Sequence, residues 1–270
     1  MNKIFSPSRF GKYFLHDLVT ARNNFLVSGL ILGCLPVVIF AVNSLFNRLI
    51  TGSWTAYVNP VNQVTSVIVA TIVASMVFPA KMYGSLTERR AGSSWLMMPA
   101  SNFEKWLSMC LVCLLVLPVF LGVLLLGTDA ALSALFPMNY GRSLVYWLFN
   151  ANSLIRDSTG LDISINIPAI IFIEWAECIL PFLLGAIFFR KSKVAKTFLA
   201  LMLLGLVFSI LSIVFAGNVN IDFNELQSMA DSAGARRLID SLNILISAVS
   251  LAYIAALLGL VFLRIKTLKH

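Results

Sequence analysis

The chain has 270 residues, 59% of them hydrophobic and 12% charged, with a mean hydropathy of +0.89. A soluble domain is roughly 45–50% apolar and about 25% charged, so a water-soluble fold is excluded and a lipid-embedded one is required. The net charge of +8 does not mark a nucleic-acid groove, because the basic residues cluster at the ends of apolar runs, where they set membrane topology.

The apolar runs are far longer than barrel strands and lack their alternation, which predicts an all-α polytopic bundle. At the N-terminus, Phe10, Phe14, Leu18, Ala21 and Phe25 recur at helical steps, with Arg9, Lys12, His16 and Asn23 opposite. Ser6 and Pro7 suit a cap and first turn. Residues 1–24 are therefore expected to hold an amphipathic helix along the cytoplasmic interface, ending at the polar corner Arg22-Asn23-Asn24. Leu45-Phe46-Asn47, beyond the first apolar run, does not read as a signal-peptide cleavage site.

Six spans are predicted within residues 25–263: Phe25–Phe46, Val61–Lys81, Leu107–Gly127, Pro168–Phe189, Thr197–Ala216 and Asn243–Leu263, followed by a tail at 264–270. The N-terminal segment, the second-to-third loop, the fourth-to-fifth loop and the tail hold 15 of the 20 Lys and Arg residues. The other loops hold Arg48, Arg142, Arg156, Arg236 and Arg237. The positive-inside rule then puts both termini in the cytoplasm.

The four cysteines lie in or beside apolar runs, so a disulfide framework is not expected. Cys110 and Cys113 have CxxC spacing but no accompanying Cys or His pair, and read as small apolar side chains of a helix. Stripes of small residues at Gly29 and Gly33, at Ser66, Ala70 and Ala74, and at Ala248, Ala252 and Ala256 mark helix contact faces, one of which is a candidate dimer surface.

The second-to-third loop, Lys81 to Trp106, is punctuated. Gly84 is expected to end the second span in a left-handed cap, and Ser85 with Glu88 fits a capping box. Pro99 breaks the helix, and Ser101 with Glu104 forms a second box that starts the third span. A short, stiff element carrying Arg89, Arg90 and Lys105 beneath the membrane is something a motor domain can push on; an ordinary charged loop is the plain alternative.

The run Leu96-Met97-Met98-Pro99-Ala100-Ser101-Asn102-Phe103-Glu104-Lys105-Trp106-Leu107 resembles the "LPAS, then EK" loop of type-2 ATP-binding-cassette transporter permeases, in particular small six-span bacterial members. Leu184 to Lys191, followed by Lys196-Thr197, is similar to the end of their fourth span; Met98 stands where they usually have Leu. The resemblance implies a permease subunit in the bacterial inner membrane, an exporter by direction. It also implies pairing as a homodimer or with a related permease, and power from separate cassette ATPase subunits. Coupling would run through Ser85, Glu88, Arg89, Arg90, Pro99, Ser101, Glu104 and Lys105. ATP and Mg would belong to the partner, with no cofactor or metal here. In keeping with that, the sequence contains no GxxxxGK[ST] phosphate loop.

Glu174 and Glu177 interrupt the fourth span. Counted from Pro168 they lie about 9 Å and about 13 Å below its outer end, where an ionised acid costs roughly 2.5–3.5 kcal/mol. They are expected either to line the transport route or to lock helices together by hydrogen bonds. They also support the rival reading, a secondary transporter or channel using them as a proton or cation relay. A membrane enzyme is disfavoured, since no HExxH or GxSxG pattern and no intramembrane His occurs.

Overall fold

The computed structural model describes residues 5–52, 60–87, 92, 95, 97–150, 167–218 and 233–267. Among them there is no strand, and six helical stretches are long and apolar enough to cross a membrane. The chain is an all-α bundle of multi-pass membrane type, as its composition requires. Glu88, Arg89 and Arg90 lie outside the described residues.

The N-terminal helix differs from expectation. Helix α1 runs unbroken from Pro7 to Gly33, so there is no corner at Arg22–Asn24. The break comes at Cys34, where Pro36 in the first turn of α2 (Leu35–Thr51) supplies no N–H to the preceding turn. The buried stripe of α1 is Tyr13, Asp17, Ala21, Phe25 and Gly29; Phe10, Phe14 and Leu18 are only half-buried beside it. A polar stripe is buried because donors and acceptors from distant segments meet it.

Helix α3 spans Pro60–Met82. Gly84 does not form the left-handed cap; the chain tightens instead into a 3-10 turn at Gly84–Thr87. A side chain at Gly84 would meet the Lys193 side chain at 3.2 Å, and the Lys193 ammonium donates to the Gly84 carbonyl. The glycine is there to let that lysine approach.

The third span is α4 (Asn102–Leu111), a π turn at Val112–Val116, and α5 (Leu117–Leu135). In the π turn the Leu117 N–H reaches back to the Val112 carbonyl, five residues away. The next N–H in that register is missing because residue 118 is proline, which leaves the Cys113 carbonyl open. The Trp175 indole N–H donates to it at 2.9 Å. Trp175 lies on α7 (Ile167–Phe188), so a backbone irregularity in one span is closed by a side chain of another.

After α5 the chain turns back through α6 (Pro137–Tyr140), then helical residues 144–150. Gly141, at φ 82°, makes the reversal that other residues resist. Fully buried Asp129 fastens this cap, accepting from the Tyr140 hydroxyl and the Leu144 N–H, both at 2.6 Å. Gln63 of α3 donates to the Tyr140 carbonyl at 2.9 Å, tying in the second span.

The last two spans are α8 (Lys193–Asn218) and α9 (Ala233–Thr267). Among the described residues, each is anchored to the bundle near one end. A Cβ on Gly185 would fall 1.8 Å from the Thr197 hydroxyl, so α7 and α8 meet there almost backbone to backbone. Leu257, Val261 and Ile265 bury the last turns of α9. Beyond these anchors nearly every described residue from Phe198 to Leu211 and from Ile244 to Val249 is exposed, the all-round apolar surface that suits lipid. Of the small-residue stripes, Gly29 and Gly33 pack against Phe120 and Leu124, and Ser66, Ala70 and Ala74 are buried, whereas Ala248, Ala252 and Ala256 are exposed.

Candidate functional site

The basic loops converge at one end of the bundle. Thr87 donates to the Phe189 carbonyl, Arg264 stacks over Phe188 with 5.2 Å to the ring centre, and Arg9 pairs with Glu104. Both ends of the described chain and both basic loops therefore share one pole. An aromatic row crosses it, Phe14, Phe10, Phe5, Phe103, Trp106 and Phe262, with successive ring centres 5.6–6.2 Å apart. Such rows belong at the membrane–water boundary.

At this pole α1 clasps the second-to-third loop through Arg9, Tyr13 and Asp17, one helical turn apart. The predicted capping box is present: Glu104 N–H donates to the Ser101 hydroxyl at 3.2 Å, and Ser101 N–H donates to the Glu104 carboxylate at 2.8 Å. Glu104 does more than cap. Its two oxygens also accept from Arg9 Nε and Nη2, both at 2.8 Å, and from the Ser6 N–H at 2.9 Å. Four donors from two segments, the start of α1 and the second-to-third loop, converge on one fully buried carboxylate.

The next turn continues the clasp. The Trp95 indole donates to the Tyr13 hydroxyl at 3.0 Å, while the Lys105 ammonium donates to the Trp95 carbonyl at 2.8 Å and sits 4.4 Å from its ring centre. Deeper still, Asp17 accepts from the Ser108 hydroxyl at 2.7 Å and from the Tyr83 hydroxyl at 3.2 Å. From Asp17 the two helices keep step, Gly29 lying on Phe120 and Gly33 on Leu124.

Glu104 and Lys105 are thus not exposed docking charges. Lys105 is 2% exposed and Glu104 fully buried, because the start of the third span lies beneath α1 rather than at the surface. What protrudes is the tip before them: Met97 is 84% exposed and Pro99 is exposed, with Met98 and Ala100 half-buried. Ser85 is half-buried in the 3-10 turn. Tyr13, Asp17, Tyr83, Trp95 and Ser108 were not singled out from the sequence, and Arg9, expected on the polar face of an interfacial helix, instead turns to Glu104. The readable signal was the polar repeat Arg9, Tyr13, Asp17, which shares a helix face.

The structure separates the other pair from this cluster. Glu174 is exposed and Glu177 half-buried on α7, and among the described residues no hydrogen bond or ion pair engages either carboxylate. Of the two readings, the helix-to-helix lock is not formed among the described residues. Cys110 and Cys113 are both buried in the third span.

No protein-family model, no curated protein and no solved structure matches this chain.

Proposed function

We propose that this chain is the membrane subunit of a transporter, driven by a separate cassette ATPase that docks on the tip Met97–Ala100. The observation that supports the reading is the clasp on Glu104. A floppy loop absorbs a push, whereas one whose Glu104 takes a hydrogen bond from the loop's own Ser101 and three from the start of α1 passes it on as a rigid-body shift. The resemblance of residues 96–107 to a coupling loop supports the same reading, and the exposed Met97 gives an apolar anchor of the kind that fills a partner's pocket. In this reading both termini are cytoplasmic and the membrane is the bacterial inner membrane.

Co-expression with cassette ATPase subunits encoded beside it tests the proposal. A stable complex with vanadate-sensitive ATP hydrolysis is expected, and Met97→Asp is expected to abolish co-purification while leaving the melting temperature of the isolated chain unchanged. Failure of the wild type to bind any such ATPase overturns the proposal. Unpartnered Glu174 and Glu177 favour a rival, a relay for protons or cations. That rival gains only if vesicles without ATPase show cation flux that Glu174→Gln/Glu177→Gln removes.

A further inference from the structure

A cleft of about 780 Å³ opens between the third span and α7, at the end of the bundle opposite the basic pole. Leu115 and Val119 form one wall and Phe172 and Trp175 the other, with Leu148 and Phe149 of the 144–150 helix over the mouth. The π turn interrupts the third span and Pro118 lines the cleft, while the Trp175–Cys113 hydrogen bond ties the two walls together at Trp175. From Trp175 to Ile167, the start of α7, the wall rises about 12 Å. The volume falls within the roughly 300–1,000 Å³ of small-ligand sites, yet the lining offers no free hydrogen-bonding side chain, so the ligand portion that fits is hydrocarbon.

A cation lies next to the lining in sequence: Arg142 comes three residues before Val145, which lines the cleft. Arg142 precedes the 144–150 helix, donates to the Tyr146 hydroxyl at 2.6 Å and stacks over that ring with 4.5 Å to its centre. Among the described residues no carboxylate pairs with it. Stacking leaves the outer edge of the guanidinium free, and its forked donors match a phosphate. Tyr146 and Trp147, edge to face at 6.2 Å, are the aromatic residues that mark headgroup depth.

We infer that this cleft binds one acyl chain of an anionic phospholipid and that Arg142 holds the lipid's phosphate. A hydrocarbon-lined cleft and, just before the short helix that borders it, a cation match the two halves of such a molecule. A second protein chain would need a wider apolar face and gain nothing from the unpaired cation. The inference requires the membrane and not the ATPase, so the two proposals fail separately.

The test uses wild-type protein in phosphatidylcholine vesicles doped with phosphatidylglycerol carrying a photoactivatable diazirine midway along one acyl chain. Adducts are expected to concentrate on Leu115, Val119 and Phe172, and to be competed severalfold better by unlabelled phosphatidylglycerol than by phosphatidylcholine. Arg142→Gln is expected to erase that headgroup preference while cleft labelling persists. Equal labelling of lipid-facing Met202 and Phe208 on α8 would mean a general lipid coat and would overturn the site. Absence of adducts on the cleft residues of the wild type would likewise overturn the site. A wild-type site without headgroup preference, or a preference that survives Arg142→Gln, would overturn the role of Arg142.

Discussion

Glu104 and the pair Glu174 and Glu177 are carboxylates on apolar helices, and they meet opposite fates. Glu104 is fully buried with four donors on its two oxygens, whereas the fourth-span pair is exposed or half-exposed with no partner among the described residues. Glu104 holds the bundle together, so its acid group contributes to structure. Among the described residues Glu174 and Glu177 make no such contact, so no hydrogen bond there offsets their desolvation. Hydropathy does not separate the two cases. The number of donors arriving from other segments does.

The sharpest way to break the clasp is to reverse its buried cation. Lys105→Glu would set a carboxylate against the Trp95 carbonyl and the face of its ring, an uncompensated buried charge costing at least ~3 kcal/mol. Loss of folded protein in detergent is expected, measured by size-exclusion chromatography. A folded, stable variant would show that the clasp does not carry the pole.

A smaller effect is expected where α7 meets the third span. Trp175→Phe keeps most of the apolar volume but leaves the Cys113 carbonyl bare, for about 1–3 kcal/mol. Thermal unfolding followed by fluorescence checks this, and an unchanged midpoint would mean that the carbonyl finds another donor. Ser101→Ala removes one arm of the capping box and is expected to cost about 1 kcal/mol, since the Glu104 arm and its Arg9 contacts remain. Its melting point should fall less than that of either variant above.

The spans and the capping box were legible because both are local signals, one of length and hydropathy, the other of residues three apart. Gly29 and Gly33 were legible as close-packing positions for the same reason. The face of α1 was misjudged. Its phenylalanines mark an apolar stripe, but the side that is buried carries Tyr13 and Asp17, whose partners Tyr83, Trp95 and Ser108 lie more than sixty residues away in sequence. Lys105 was read as an exposed charge because a basic residue in a basic loop is normally solvated; the overlying helix was not visible in the pattern. Pro118 announces an open carbonyl, yet only the π register identifies it as that of Cys113.

The most direct test of the contrast between the two kinds of acid is the melting temperature of two variants measured side by side in the same detergent. Glu104→Gln is nearly isosteric, but its amide nitrogen must face a donor, because both carboxylate oxygens accept from N–H groups. A drop of several degrees is expected for Glu104→Gln, and no change beyond about 1 °C, the equivalent of less than ~0.5 kcal/mol, for Glu174→Gln/Glu177→Gln. Equal drops in the two, or a larger one in the fourth-span pair, would contradict the assignment of Glu104 to structure and of Glu174 and Glu177 to something other than structure.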